Sequence, residues 1–112
     1  MQYLLMIYGD EAAMQTTTEA DMKQLIAAYG AYTEAMKQAG VLVGSNRLRP
    51  SASATTVRGA GGKTQVLNGP YAETREQLGG YYLIEAADLD AALSWASRCP
   101  AAGYGAVEVR PI

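Results

Sequence analysis

Residues 68 to 75 read Asn-Gly-Pro-Tyr-Ala-Glu-Thr-Arg, which puts an amide, a phenol, a carboxylate and a guanidinium into one short segment. Arg75 could hold a carboxylate or phosphate in a forked hydrogen bond while Asn68 and Tyr71 fix the ligand's orientation. Glu73 and Glu76 have the chemistry of a carboxylate pair if the fold brings them together. The same residues also have a structural reading. Asn68 makes an Asx-turn, Pro70 sets its geometry and Arg75 pairs with a neighbouring glutamate, or the segment crosses a dimer seam. A second group, Tyr8, Asp10 and Glu11, follows the first apolar run, where Asp10 and Glu11 could supply an acid or base or simply form a solvated turn.

What the chain lacks narrows the chemistry further. It has no histidine and one cysteine, so a zinc or iron site has no usual donor set, and no metal or cofactor is inferred. Cys99 lies near a predicted helix C-terminus, where the negative end of the dipole raises a thiol pKa, which favours a small buried hydrophobe over a nucleophile. The glycine-rich stretch Gly59-Ala60-Gly61-Gly62 leads through Lys63-Thr64 into a strand pattern, whereas a phosphate-cradling loop leads into a helix. A β-turn is expected there.

Nine Lys and Arg against eleven Asp and Glu leave a formal charge of -2. The basic residues are scattered, which argues against nucleic acid as a partner. The first apolar run ends by Tyr8, too short to span a membrane or to form a secretory leader. With a lone cysteine and no possible internal disulfide, a cytoplasmic protein is expected.

The elements that must position these groups follow from periodicity. Tyr3 to Tyr8 is continuously apolar, the pattern of a strand covered on both faces. From Glu19 to Ala39, Met22, Leu25, Ile26, Tyr29, Thr33 and Met36 recur at helical spacing, with Thr18 as N-cap and Gly40 as the left-handed closing residue. Val41 to Val43 begin a second strand that Pro50 interrupts. Thr55 to Arg58 and Thr64 to Leu67 form a hairpin. Tyr81 to Ile84 is a further strand after Gly79-Gly80, Asp88 starts a second helix carrying Leu89, Ala92, Leu93 and Ala96 on one face, and Val107 to Val109 form the last strand before Pro111.

Two strand-helix-strand units separated by a hairpin predict one α+β domain over residues 1–112. The expected form is a ferredoxin-like antiparallel sheet with both helices on one face, since right-handed crossovers sharing a sheet put their helices on the same side. The other sheet face would be left apolar and bare, a patch larger than a monomer ordinarily exposes. A homodimer packed sheet against sheet is the economical cover.

The block Gly-Pro-Tyr-Ala-Glu-Thr-Arg-Glu-Gln-Leu-Gly-Gly-Tyr-Tyr-Leu-Ile-Glu-Ala at 69 to 86 resembles the DGPF branch of the YCII-related proteins. So do Tyr-Leu-Leu-Met-Ile-Tyr-Gly-Asp-Glu at 3 to 11, Ala-Tyr-Gly-Ala-Tyr-Thr-Glu-Ala at 28 to 35, Ala-Gly-Val-Leu-Val-Gly at 39 to 44 and Val-Glu-Val-Arg-Pro at 107 to 111. The resemblance implies a dimeric α/β barrel of ferredoxin-like subunits. It also implies, for parts of the family, a catalytic His and Asp pair, which this chain cannot supply. The branch's name-giving Asp stands here as Asn68, which has no useful pKa for general-base work.

Three functions follow as expectations. The first is a homodimer binding a small acidic or phenolic molecule in a cleft near the interface. The second is a lyase-like or isomerase-like enzyme that works without histidine. The third, implied by the resemblance alone, is a regulatory partner of an alternative sigma factor.

Overall fold

A computed structural model describes residues 1–112. The chain begins with strand β1 (Gln2–Gly9), a single helical turn α1 (Glu11–Met14) and the long helix α2 (Glu19–Gln38). Strand β2 (Leu42–Arg47) and a short 3-10 turn (Ser51–Ser53) lead into the hairpin β3 (Thr55–Ala60) and β4 (Lys63–Asn68). Strand β5 (Gln77–Glu85), helix α3 (Leu89–Arg98), a second 3-10 turn (Pro100–Gly103) and strand β6 (Ala106–Pro111) complete it.

Local chemistry accounts for the element boundaries. The Thr18 hydroxyl accepts from the Asp21 amide at 3.1 Å and the Asp88 carboxylate accepts from the Ala91 amide at 2.9 Å. Each cap satisfies an amide left without a partner in the first helical turn. Gly40 has φ 72°, the left-handed geometry needed to leave α2. At the hairpin tip Gly61 and Gly62 have φ 58° and 81°, the paired positive values of a two-residue hairpin turn.

The main sheet is fully antiparallel with strand order β2-β5-β1-β6. Each of the two crossovers therefore joins strands separated by one neighbour, an arrangement compatible with the ferredoxin-like fold. Cross-strand partners share a face. Tyr3 aligns with Ile84, Leu5 with Tyr82 and Val109, and Ile7 with Gly80 and Val107. This row packs against Tyr32 and Met36 of α2 and Ala92 and Ala96 of α3 in a single core. Leu5, Met36 and Ile84 are wholly enclosed. The core rings meet edge to face, with Tyr32 and Tyr82 centroids 5.3 Å apart at 86°.

The sheet has two irregularities. On β2 the register shifts between Leu42, which pairs with Ile84, and Gly44, which pairs with Leu83, leaving Val43 as an extra residue. On β5 Gly79 is the extra residue opposite the Ile7/Tyr8 step.

The opposite face carries Leu4, Met6 and Tyr8 on β1 beside Leu83, Tyr81 and Leu78 on β5, with no helix over them. Asn46 and the Glu108–Arg110 pair border it on the outer strands. The β3–β4 hairpin forms a separate two-stranded sheet in which Val57 faces Val66, both about two-thirds exposed (66% and 69%). The radius of gyration is 15.8 Å, against about 13 Å for a compact chain of this length. The molecule is only 18 Å thick along its shortest axis.

Three sequence expectations shift. Glu11–Met14 is a helical turn rather than a plain solvated turn. Strand β5 starts at Gln77, ahead of the glycine pair expected to precede it. Ile26, placed on the buried stripe, is 57% exposed, while Tyr32 is buried in its stead. The reason is that only the C-terminal half of α2 rests on the sheet.

Candidate functional site

Where the N-terminal half of α2 stands off the sheet, a cleft of about 530 Å³ opens on the helix side. Met22, Leu25 and Ile26 project from α2 to form one wall, and Met14 of α1 adds to it. The floor is the cross-strand row Ile7, Gly80 and Arg47. Gly80 lets β2 lie close against β5 here, since a Cβ there would come within 2.8 Å of the Asn46 carbonyl oxygen.

A tyrosine cluster closes one end. The Tyr29 and Tyr104 hydroxyls are 2.5 Å apart. The Tyr82 hydroxyl lies 2.8 Å from that of Thr33, which itself donates to the Tyr29 carbonyl. Gly9 makes room for the Tyr104 ring, which a Cβ at that position would meet at 3.3 Å. Burial, reinforced by the neighbouring Tyr104 phenol, pushes Tyr29 above the ordinary tyrosine range. Burial also raises Tyr32 and Tyr82, the latter partly offset by its bond to Thr33. The Cys99 thiol is raised by burial too, partly offset by hydrogen bonds from the Ala101 amide and the Tyr29 phenol. These groups hold their protons more tightly than usual and are suited to donating hydrogen bonds, not to acting as bases at neutral pH.

The polar lining includes Glu11, Gln77, Ser45 and Arg47. Glu11 is held firmly: its carboxylate accepts from the Ser51 amide at 2.8 Å and the Ser51 hydroxyl at 2.7 Å. Its own amide donates to the Gln77 side-chain oxygen at 3.0 Å. Gln77 in turn donates to the Thr74 carbonyl at 2.6 Å. Arg47 has no such partner, and neither ion pair in the molecule involves it.

The residues singled out in the sequence are dispersed. Asn68 ends β4, Tyr71, Glu73 and Arg75 lie on the exposed segment that follows, and none of the four lines the cleft. Tyr71 stacks under the Arg58 guanidinium, 5.2 Å from its centroid, while Glu73 and Arg75 form no ion pair. The backbone around Asn68 is tied at Gly69, whose amide donates to the Ala54 carbonyl and whose carbonyl accepts from the Thr56 hydroxyl. Tyr8 belongs to the bare sheet face. Asp10 caps α1 through the Ala13 amide and borders a smaller neighbouring depression. Glu11 is the residue noticed in the sequence that does reach the cleft. Arg47, Gln77 and Tyr104 gave no local signal, because only contacts between distant parts of the chain bring them to the cleft.

No helix is long and apolar enough to cross a membrane. Among known proteins, the chain is similar to an uncharacterized protein of Rhizobium meliloti, with 37% identity over an alignment covering 100% of this chain and 92% of that protein. The family model described as the YCII-related domain matches residues 1–112. The chain therefore belongs to the YCII-related domain family.

Proposed function

We propose that the protein is a homodimeric small-molecule-binding protein whose ligand occupies the cleft between α2 and the sheet. The observation that carries this reading is the cleft itself. Its volume falls within the roughly 300–1,000 Å³ range of small-ligand sites, and a few polar groups converge on a largely apolar lining. Met22, Leu25 and Ile26 are kept from the core at some cost in unburied surface, as expected if a ligand supplies the missing contact.

Binding is favoured over turnover because the Tyr29 and Tyr82 phenols lining the cleft hold their protons above the usual range. A nucleophile or base at neutral pH needs the opposite shift. The Glu11 carboxylate is already engaged by Ser51.

Dimerisation is supported by two bare surfaces on one chain. The sheet face bearing Leu4, Met6, Tyr8 and Leu83 has an apolar centre and a polar border, the anatomy of an interface. The β3–β4 hairpin is a lone two-stranded ribbon, marginal in water without a surface to pack on. In this reading a second copy covers both.

Two measurements test the proposal. Leu25→Trp, which fills the cleft, is expected to abolish the thermal shifts that a small-molecule panel produces in the wild type. Identical shifts in both proteins would remove the ligand from the cleft. Light scattering is expected to give twice the chain mass for the wild type and the single mass for Leu83→Glu. A monomeric wild type at high concentration would overturn the dimer.

A further inference from the structure

The cleft presents two formal charges, and they are in different states. Glu11 spends its carboxylate on the amide and hydroxyl of Ser51, and its backbone amide is taken by Gln77. Arg47 pairs in register with Gly80, on the same face as Ile7, so its side chain leaves the sheet on the cleft side. It makes no hydrogen bond to any side chain or carbonyl and has no carboxylate within ion-pairing distance. A guanidinium offers five donors in a planar fork that matches a carboxylate. Ser45, two positions earlier on the same face of β2, adds a hydroxyl without a partner in the protein. Across the floor from these donors stand Met22, Leu25 and Ile26, with no charge among them.

We propose that the cleft takes an apolar-bodied carboxylate, its acid group forked onto Arg47 and its hydrocarbon body laid along α2. This rests on the cleft being the ligand site and goes further in naming the ligand's class and orientation. The Tyr29–Tyr104 end then faces the far end of the ligand and limits its length, the two phenols being joined to each other across that end of the cleft.

The test compares octanoate with octanamide by calorimetry, using the wild type, Arg47→Gln and Leu25→Trp, with melting temperatures confirming that each variant folds. The wild type is expected to bind the acid at least about tenfold more tightly than the amide, the factor of a charge-assisted hydrogen bond. Arg47→Gln is expected to bring the two to equal affinity. Equal binding by the wild type, abolished for both in Leu25→Trp, would overturn the carboxylate while leaving the cleft as the site. A preference for the acid that survives in Arg47→Gln would overturn the role of Arg47. Failure of both probes on the wild type would overturn this inference, and together with an empty small-molecule panel would bring down the cleft as well.

Discussion

Alkaline pH probes the tyrosine cluster directly. Tyr32 and Tyr82 are buried, and burial raises both above the unperturbed value of 10.0. The unfolded chain releases these protons near pH 10 while the folded chain keeps them. The stabilisation is therefore fully present below about pH 10 and is lost as pH rises from there toward the folded-state values. Each retained proton contributes a slope of about 1.4 kcal/mol per pH unit, so the two phenols together give nearly 3 kcal/mol per unit. A domain stable by roughly 5–15 kcal/mol cannot sustain that for many units. Tyr82→Phe removes one of the two groups and also its hydrogen bond to Thr33, at a cost of about 1 kcal/mol at neutral pH. The variant should start less stable and lose stability less steeply above about pH 10, so that its curve converges on that of the wild type as pH rises. Urea unfolding followed through Trp95 fluorescence across this range, with tyrosinate absorbance as a second signal, measures both slopes. Parallel curves for wild type and variant, or free titration of every tyrosine in the folded state, would refute the reasoning.

Met36 is fully enclosed, and Met36→Ala should cost about 2–5 kcal/mol in denaturant unfolding by lost burial and the cavity left behind. Gly105→Ala places a Cβ 2.1 Å from the Tyr8 carbonyl oxygen. It should destabilise the β1–β6 seam well beyond the roughly 1 kcal/mol of an ordinary substitution, visible as accelerated amide exchange along Ala106–Pro111.

Much of the architecture was legible because it is written in local chemistry. Thr18 and Asp88 cap the helices they were assigned, Gly40 takes the left-handed conformation, and the paired glycines Gly61 and Gly62 turn the hairpin. The continuous apolarity of Tyr3 to Tyr8 corresponds to a central strand with a core face and a bare face. The cleft was less legible. Helical spacing placed Leu25 and Ile26 on the same stripe as Met36, and periodicity cannot say that one end of a helix stands away from its sheet. Gln77 and Arg47 are brought to the rim by antiparallel pairing across more than thirty positions of chain, roughly the reach that local patterning never covers. The polar segment from Asn68 to Arg75 drew attention by composition, but the structure gives it turn bonds and solvent exposure and leaves it outside the cleft.

The extra residue at Val43 has a consequence for how this chain can vary. Beyond Leu42, an unbroken ladder would turn Ser45 and Arg47 outward and Gly44 and Asn46 inward, because a one-place slip exchanges the two sides of a strand. With Val43 inserted, Arg47 faces the cleft, and the oily side of the sheet has no charge along its β2 edge. Excising one residue here would undo both at once, stripping the cleft of its cation and planting that cation at the border of the bare sheet face. A single-codon deletion here thus combines two changes that no point substitution along β2 makes together.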